Sequence, residues 1–226
     1  MSIYTAFGLT FYTDIELPQL LRSDADSRDV QITRGEINKA GLDAPKTIKP
    51  HCQLAENELW LHVPDIAWFY VTNGNKVVYE PESGADMQSV ALYLLGSCMG
   101  ALMYQRGRMV IHGNAVRFGD SCVIFAGASG SGKSTLAAAF HKRGYEVLAD
   151  DLSVIDEQLR VQPSFPQIKL WHDTVKKLDI DMSGLKRIRL QVDKYAYPIR
   201  EGQFCNRPLP VKAMYILNVH NQDEFL

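Results

Sequence analysis

The 226-residue sequence is short of cysteine, and its four cysteines stand far apart. Cys52, Cys98, Cys122 and Cys205 form no CxxC step, so neither a zinc knuckle nor a thioredoxin-type redox motif can be assembled locally, and the pattern argues against disulfides. An excess of charge is also missing. With 24 Lys and Arg against 26 Asp and Glu, the formal charge of −2 gives nucleic acid or an anionic membrane surface no general attraction. The N-terminus, MSIYTAFGLT, has no basic stretch followed by a long apolar run, and no later segment reaches the roughly 18 apolar residues of a membrane span. A cytoplasmic protein, with neither nucleic acid nor membrane as partner, is expected. What is present, 46% hydrophobic and 22% charged residues, is the balance of an ordinary folded chain. The length suits one domain, or a catalytic domain with a smaller companion.

Residues 1–81 read as short β-like stretches broken by turn chemistry: YTAFGLTFY, DVQITRG, ELWLHVPD and AWFYVTNGNKVVYEP. A hairpin is predicted where Trp68–Thr72 meets Lys76–Tyr79 across Asn73-Gly74-Asn75, because an Asn-Gly step accepts the positive φ of a tight turn. Ser23–Asp29 and Lys39–Lys49 are polar and aperiodic and read as loops. The character changes near Ser83. Asp86–Gln105 carries Val90, Leu94, Leu95, Met99, Leu102 and Met103 at helical spacing, and its small residues Gly96, Ser97, Gly100 and Ala101 are expected to allow close approach to a sheet. Met109–His112 and Ser121–Ala126 read as strands with Asn114–Asp120 turning between them. A boundary near residues 81–86 divides a β-rich N-terminal region, 1–81, from an α/β region, 82–226.

The second region holds Gly127-Ala128-Ser129-Gly130-Ser131-Gly132-Lys133-Ser134, a full match to G-x-x-x-x-G-K-[ST], followed by Thr135. The context agrees, since the apolar run Cys122–Ala126 precedes it as a buried strand should and the helix formers Leu136–Phe140 follow. Each residue type has a physical reason. Glycines let the backbone turn tightly and present several N–H groups to phosphates, and the helix N-terminus adds positive potential at the same point. Lys133 is expected to reach the β- and γ-phosphates of ATP, and the Ser134 hydroxyl to enter the Mg²⁺ shell. A dinucleotide fingerprint fails because Thr135 stands where its third glycine is needed. The helix should close at Lys142-Arg143-Gly144, basic residues complementing the dipole and glycine serving as cap.

An apolar strand, Tyr145–Ala149, then runs into Asp150-Asp151, 17 and 18 residues after the loop lysine. A strand beside the loop's own strand would deliver both acids to the carboxyl edge of the sheet, where ligands of open α/β sheets sit. Alternation along a strand gives the two acids different tasks. Asp150 is provisionally the metal acid and Asp151 the base that takes a proton from an attacking hydroxyl. A solvated Asp-Asp turn is the plain alternative. His112, before Gly113, is a further candidate, although a lone histidine is more often structural.

Together, Val110–Val116 with its His-Gly step, the loop Gly127–Thr135, and Lys142-Arg-Gly-Tyr-Glu-Val-Leu-Ala-Asp-Asp151 resemble the catalytic domain of HPr kinase/phosphorylase and its kinase-like relatives. The resemblance covers Val110–Asp151 most clearly. It implies a P-loop kinase domain, a mixed sheet with flanking helices, with His112 at the reaction centre, Lys133 and Ser134 on nucleotide and Mg²⁺, and Asp150 and Asp151 supplying metal and base functions. The flanks Ile3–Leu20 and Pro163–Trp171 look more like the shorter branch that includes lasso-peptide precursor kinases, which implies a serine-containing peptide or small protein as acceptor. The resemblance implies a domain that normally continues past a strand such as Val211–Asn218, and whether the domain is truncated at its C-terminus stays open. The oligomeric state stays open, a homo-oligomer included.

Elsewhere the signals are weaker. Lys176-Lys177, Lys186-Arg187 and Arg189, with Lys194 beyond, read as a solvated basic face, or as the source of one cation, Arg187, Arg189 or Lys194, that approaches a phosphate. A GTPase would need N-K-x-D and a transport ATPase an L-S-G-G-Q-type signature, and both are lacking. A small-molecule kinase and a nucleotide-binding regulator without turnover remain as alternatives. Trp60 and Trp68, if exposed, are candidates for touching an acceptor from the N-terminal region.

Overall fold

The computed structural model describes residues 1–189, 192–200 and 202–218 as a mixed α/β protein with large sheets and few helices. The strands are β1 (Ser2–Ala6), β2 (Leu9–Thr13), β3 (Leu21–Arg22), β4 (Val30–Arg34), β5 (Thr47–Lys49), β6 (Cys52–Leu54), β7 (Glu58–Val63), β8 (Ala67–Thr72), β9 (Lys76–Pro81), β10 (Met109–Phe118), β11 (Ser121–Gly127), β12 (Val147–Ala149), β13 (Leu152–Ile155), β14 (Arg160–Gln162), β15 (Gln167–Trp171), β16 (Lys186–Arg189), β17 (Val192–Pro198) and β18 (Leu209–Leu217). The first nine make one sheet in the order β3-β1-β2-β4-β9-β8-β7-β6-β5. YTAFGLTFY is two strands of a hairpin, with Phe7-Gly8 at its tip. The expected second hairpin is present as β8 and β9, with Thr72 opposite Lys76 and both Asn73 and Gly74 at positive φ. One expected loop is partly strand, since Thr47–Lys49 pairs with β6 at the sheet's end.

A helix, Met87–Gln105, covers one face of this sheet. Asp86 caps it by accepting from the N–H groups of Gln88 and Ser89, and an arginine-glycine step ends it. Its midpoint, Leu94–Cys98, has one π-type turn. Val90, Leu94, Leu95, Met99, Leu102 and Met103 are all buried in one cluster with Phe11, Ile32, Phe69 and Val77 of the sheet. Of the small residues, Ala101 packs against this cluster, whereas Gly96 and Ser97 do not form the contact. Ser97 is exposed, and a Cβ added at Gly96 would meet nothing within 4 Å, because the large apolar side chains occupy the buried face. By length and composition this helix could cross a membrane, contrary to the sequence expectation, and half of its most apolar window is buried in the protein. The cluster reaches Val154 and Phe165, so helix and N-terminal sheet pack on the second half of the chain.

That second half carries a six-stranded sheet, β11-β18-β14-β13-β10-β12, in which an extra β10–β11 pairing joins the run back on itself. A three-stranded sheet, β15-β17-β16, lies alongside. The helix Lys133–Lys142 and the short helix His172–Lys177 flank these sheets. Here two expectations need correction. Asn114–Phe118 is strand rather than turn: β10 runs on to Phe118, and only Gly119-Asp120 turns, because Asn114, Ala115 and Val116 are all fully buried between neighbouring strands. And β12 lies beside β10, with β10 separating it from β11, since the long β10 reaches both. The helix ends as expected. Gly144 takes φ 89°, its N–H bonds His141, and the Tyr145 N–H bonds Phe140. All four cysteines are free thiols.

Candidate functional site

The glycine-rich loop begins where β11 leaves the sheet. Gly127 has φ 142°, and a Cβ there would come within 2.4 Å of the Leu217 carbonyl oxygen on the parallel strand β18, so no other residue fits the turn. Gly132, at φ 94°, precedes the first helical residue, Lys133. The Lys133 side chain folds back over the loop and donates to the carbonyls of Gly127 and Ala128 at 2.9 and 2.8 Å. The ammonium is thus buried against carbonyl oxygens of its own loop, with no carboxylate among its hydrogen-bond partners. The helix dipole and the backbone N–H groups of the first turn add positive potential at the same end of the helix.

Asp150 and Asp151 lie where β12 passes into β13. The Leu152 N–H bonds the Asp150 carbonyl at 2.8 Å, and Asp151, in the middle, has φ 65°: a tight three-residue turn that is strained for a residue with a side chain. The turn, rather than strand alternation, sends the two carboxylates apart. Asp150, 4% exposed, accepts from Asn114 Nδ2 at 2.6 Å and Ser134 Oγ at 3.1 Å on one oxygen, and from the Lys169 backbone N–H at 2.8 Å on the other. Asp151 accepts from Lys169 Nζ at 2.8 Å. Burial, and next the charge of Asp151, push the Asp150 pKa up. Burial also opposes ionisation of Asp151, but the ammonium groups of Lys169 and Lys194 outweigh it and hold its pKa below the ordinary range. The environment thus gives neighbouring acids opposite tendencies.

His112 is exposed, and its Nδ1 donates to the Asp151 carbonyl at 3.0 Å, which leaves Nε2 as the acceptor of the neutral ring. Gly113 follows because a Cβ there would sit 2.7 Å from the Phe125 carbonyl oxygen, so the His-Gly step is set by the close β10–β11 pairing. Thr135 faces the short helix and shares a 2.9 Å hydrogen bond with Thr174.

These residues surround one cleft of about 730 Å³, lined by His112, Ser129–Leu136, Asp151, Trp171, Thr174, Lys177 and Lys194, among others. The structure therefore gathers Ser129, Gly130, Ser131, Gly132, Lys133, Ser134, Thr135, His112 and Asp151 around a common space, with Asp150 behind Ser134. Gly127 and Ala128 supply the carbonyls that hold Lys133. Of the three later cations, Lys194 lines the cleft, 5.7 Å from the centre of the exposed Trp171 ring. Arg187 bonds Tyr195 and Asp193, and Arg189 bonds Tyr93. Trp60 is buried, its indole N–H on the Asn38 carbonyl, and Trp68 is half-buried against His62, so neither is the exposed aromatic expected of a docking surface.

Sequence reading missed Lys169 and Asn114, which hold the two acids. The signal for Lys169 was a lysine inside the apolar run Gln167–Trp171, where Ile168 and Leu170 are fully buried. Among the described residues no group of three or more His, Cys, Asp or Glu could hold a metal ion unaided. Ser134 and Asp150 offer one hydroxyl and one carboxylate, hard oxygen donors that fit a Mg²⁺ bringing further oxygens from a bound phosphate. The fold and site define a mixed α/β protein with a glycine-rich loop between strand and helix and a paired-acid turn beside it. No family model matches the chain, and no curated protein matches it.

Proposed function

We propose that the chain is a cytoplasmic, ATP-dependent kinase of the HPr kinase type that transfers the γ-phosphate to a serine hydroxyl of a small protein or peptide. The observation that carries this reading is the meeting in one cleft of the loop lysine, of Ser134 bonded to Asp150, and of Asp151 bonded to Lys169. On this reading the loop's N–H groups and Lys133 bind the β- and γ-phosphates, Lys133 giving up its carbonyl partners for phosphate oxygens. Ser134 and Asp150 would hold Mg²⁺, which would supply positive charge to offset that on the phosphates. Asp151 orients the acceptor hydroxyl. The serine oxygen bonds the γ-phosphorus, the bond from that phosphorus to the β–γ bridging oxygen breaks, ADP departs with its electrons, and the hydroxyl proton passes to Asp151. A carboxylate with a depressed pKa is a weak base, which suits a reaction catalysed mostly by positioning and charge. Lys194, on the cleft wall, is placed to add positive charge near the phosphates.

The test is incubation with γ-labelled ATP and a library of serine-containing peptides beside their alanine counterparts. Label on serine peptides alone supports the reading. Label on small hydroxylated metabolites instead makes it a small-molecule kinase, and nucleotide binding without ADP formation under any acceptor makes it a regulator.

A further inference from the structure

The residue after the His-Gly step is a buried polar group in an apolar setting. Asn114 is fully buried, with Ala115 and Val116 next to it in sequence and the buried Phe125 opposite it in register. Its Nδ2 donates to Asp150 Oδ1 at 2.6 Å, and its amide oxygen has no hydrogen-bond partner. Packing alone gives no reason for this choice. Val123, Phe125 and Val116 show that the strands accept apolar side chains here, and a buried amide oxygen left unpaired is a cost that an apolar residue avoids. The amide nitrogen donates to the same Asp150 oxygen that Ser134 Oγ reaches at 3.1 Å, so Asn114 and Ser134 meet on one carboxylate oxygen.

On the nucleotide reading above, we propose that Asn114 is a positioning residue of the divalent-cation site: its Nδ2 fixes the Asp150 carboxylate against Ser134, and its Oδ1 accepts a hydrogen bond from a water in the cation's shell. The orphaned oxygen is then satisfied when the cation is present. The same arrangement explains why Asp150 needs three donors, two side-chain and one backbone, around a single buried carboxyl. Oriented outer partners of this kind govern metal affinity as strongly as many direct ligands.

The experiment measures Mn²⁺ binding by the paramagnetic resonance of the free ion, with the full chain and a saturating non-hydrolysable ATP analogue, for wild type, Asn114→Leu and Asn114→Asp. Binding of the analogue in excess chelator is measured in parallel. Expected are a loss of about 10–100-fold in Mn²⁺ affinity for Asn114→Leu, a smaller change for Asn114→Asp, whose carboxylate keeps an acceptor and adds negative charge, and unchanged metal-free analogue binding in both. Wild-type Mn²⁺ affinity in both variants, or an equal loss of metal-free binding, overturns the proposal, the latter because it marks a purely structural role. If neither variant folds, the wild-type side-chain amide resonance of Asn114 is followed by NMR: a shift on adding Mg²⁺ to the analogue complex supports the proposal, and no shift overturns it. A wild-type chain that binds neither analogue nor Mn²⁺ instead overturns the nucleotide reading on which the proposal rests.

Discussion

Replacing Lys169 with methionine removes the ammonium that pairs with Asp151 of the cleft. The Lys169–Asp151 pair is 2.8 Å long, and its side chains are 9% and 23% exposed. Removing one partner of a fully buried pair costs about 3–5 kcal/mol, because it strands an uncompensated charge. Asp151 retains some contact with water, and Lys194 remains as a second cation, so a loss of about 2–3 kcal/mol is expected here. At a urea dependence of about 2–3 kcal/mol per molar for a chain of this size, the unfolding midpoint should fall by about 1 M. Methionine keeps the length and apolar stem of lysine, so the packing of Ile168 and Leu170 should be unaffected. The second arm is Lys169→Met with Asp151→Asn. Asparagine tolerates the left-handed backbone of that turn and removes the stranded charge, so the double variant should recover a large part of the loss, a coupling of about 1–3 kcal/mol. A midpoint within about 0.2 M of wild type for the single variant, or strict additivity of the two changes, would show that the ion pair does not hold Asp151 in place.

Four other outcomes can be checked. Lys133→Ala should abolish the thermal stabilisation by Mg-ATP, which for wild type at about 100 times the dissociation constant is worth roughly 2.7 kcal/mol. Asp151→Asn should lower phosphoryl transfer by about 10²–10⁴-fold while leaving nucleotide affinity near wild type, whereas Asp150→Asn should raise the Mg²⁺ concentration needed for half-maximal transfer; the reverse pattern exchanges the two roles. Gly113→Ala, whose Cβ would lie 2.7 Å from the Phe125 carbonyl, should lower stability by about 1–3 kcal/mol in urea unfolding. His141 is 1% exposed with an unpartnered Nδ1, and burial, then the charge of Arg200, lowers its pKa from the ordinary 6.5. The unfolded chain therefore takes up this proton first, so His141 erodes stability as pH falls below about 6.5, and His141→Phe should flatten the stability profile between pH 7 and 5.

How much of this was legible in the sequence depends on whether a signal was local. The hairpin at Asn73-Gly74, the helix cap at Gly144 and the glycine-rich loop are written in consecutive residues, and each took the expected form. Asn114–Asp120 was misread because asparagine, glycine and aspartate are turn formers when exposed, and nothing local announces that Asn114 is to be buried against a carboxylate 36 positions away. Gly96 and Ser97 of the long helix were misread for a related reason, since small side chains allow close approach without requiring it. Sheet order was out of reach as well: β10 joins strands before and after the loop, and its ten-residue length, which lets it pair with β11, β12 and β13, depends on all three partners at once.

The acids illustrate the same division at the level of chemistry. Two adjacent aspartates after an apolar strand are visible at once, yet what separates them is neither their order nor the alternation of a strand. It is the strained backbone at Asp151, which turns one carboxylate toward Asn114, Ser134 and the Lys169 backbone and the other toward the Lys169 ammonium. One lysine thus contacts both acids, through its main chain and through its side chain. Moving β15 by a single residue would exchange Lys169 for Ile168 or Leu170 and withdraw the side-chain contact from Asp151. The register of β15 against β17, where Lys169 faces Ala196 and Trp171 faces Lys194, therefore sets the charge on Asp151 and places the second cation on the cleft wall together.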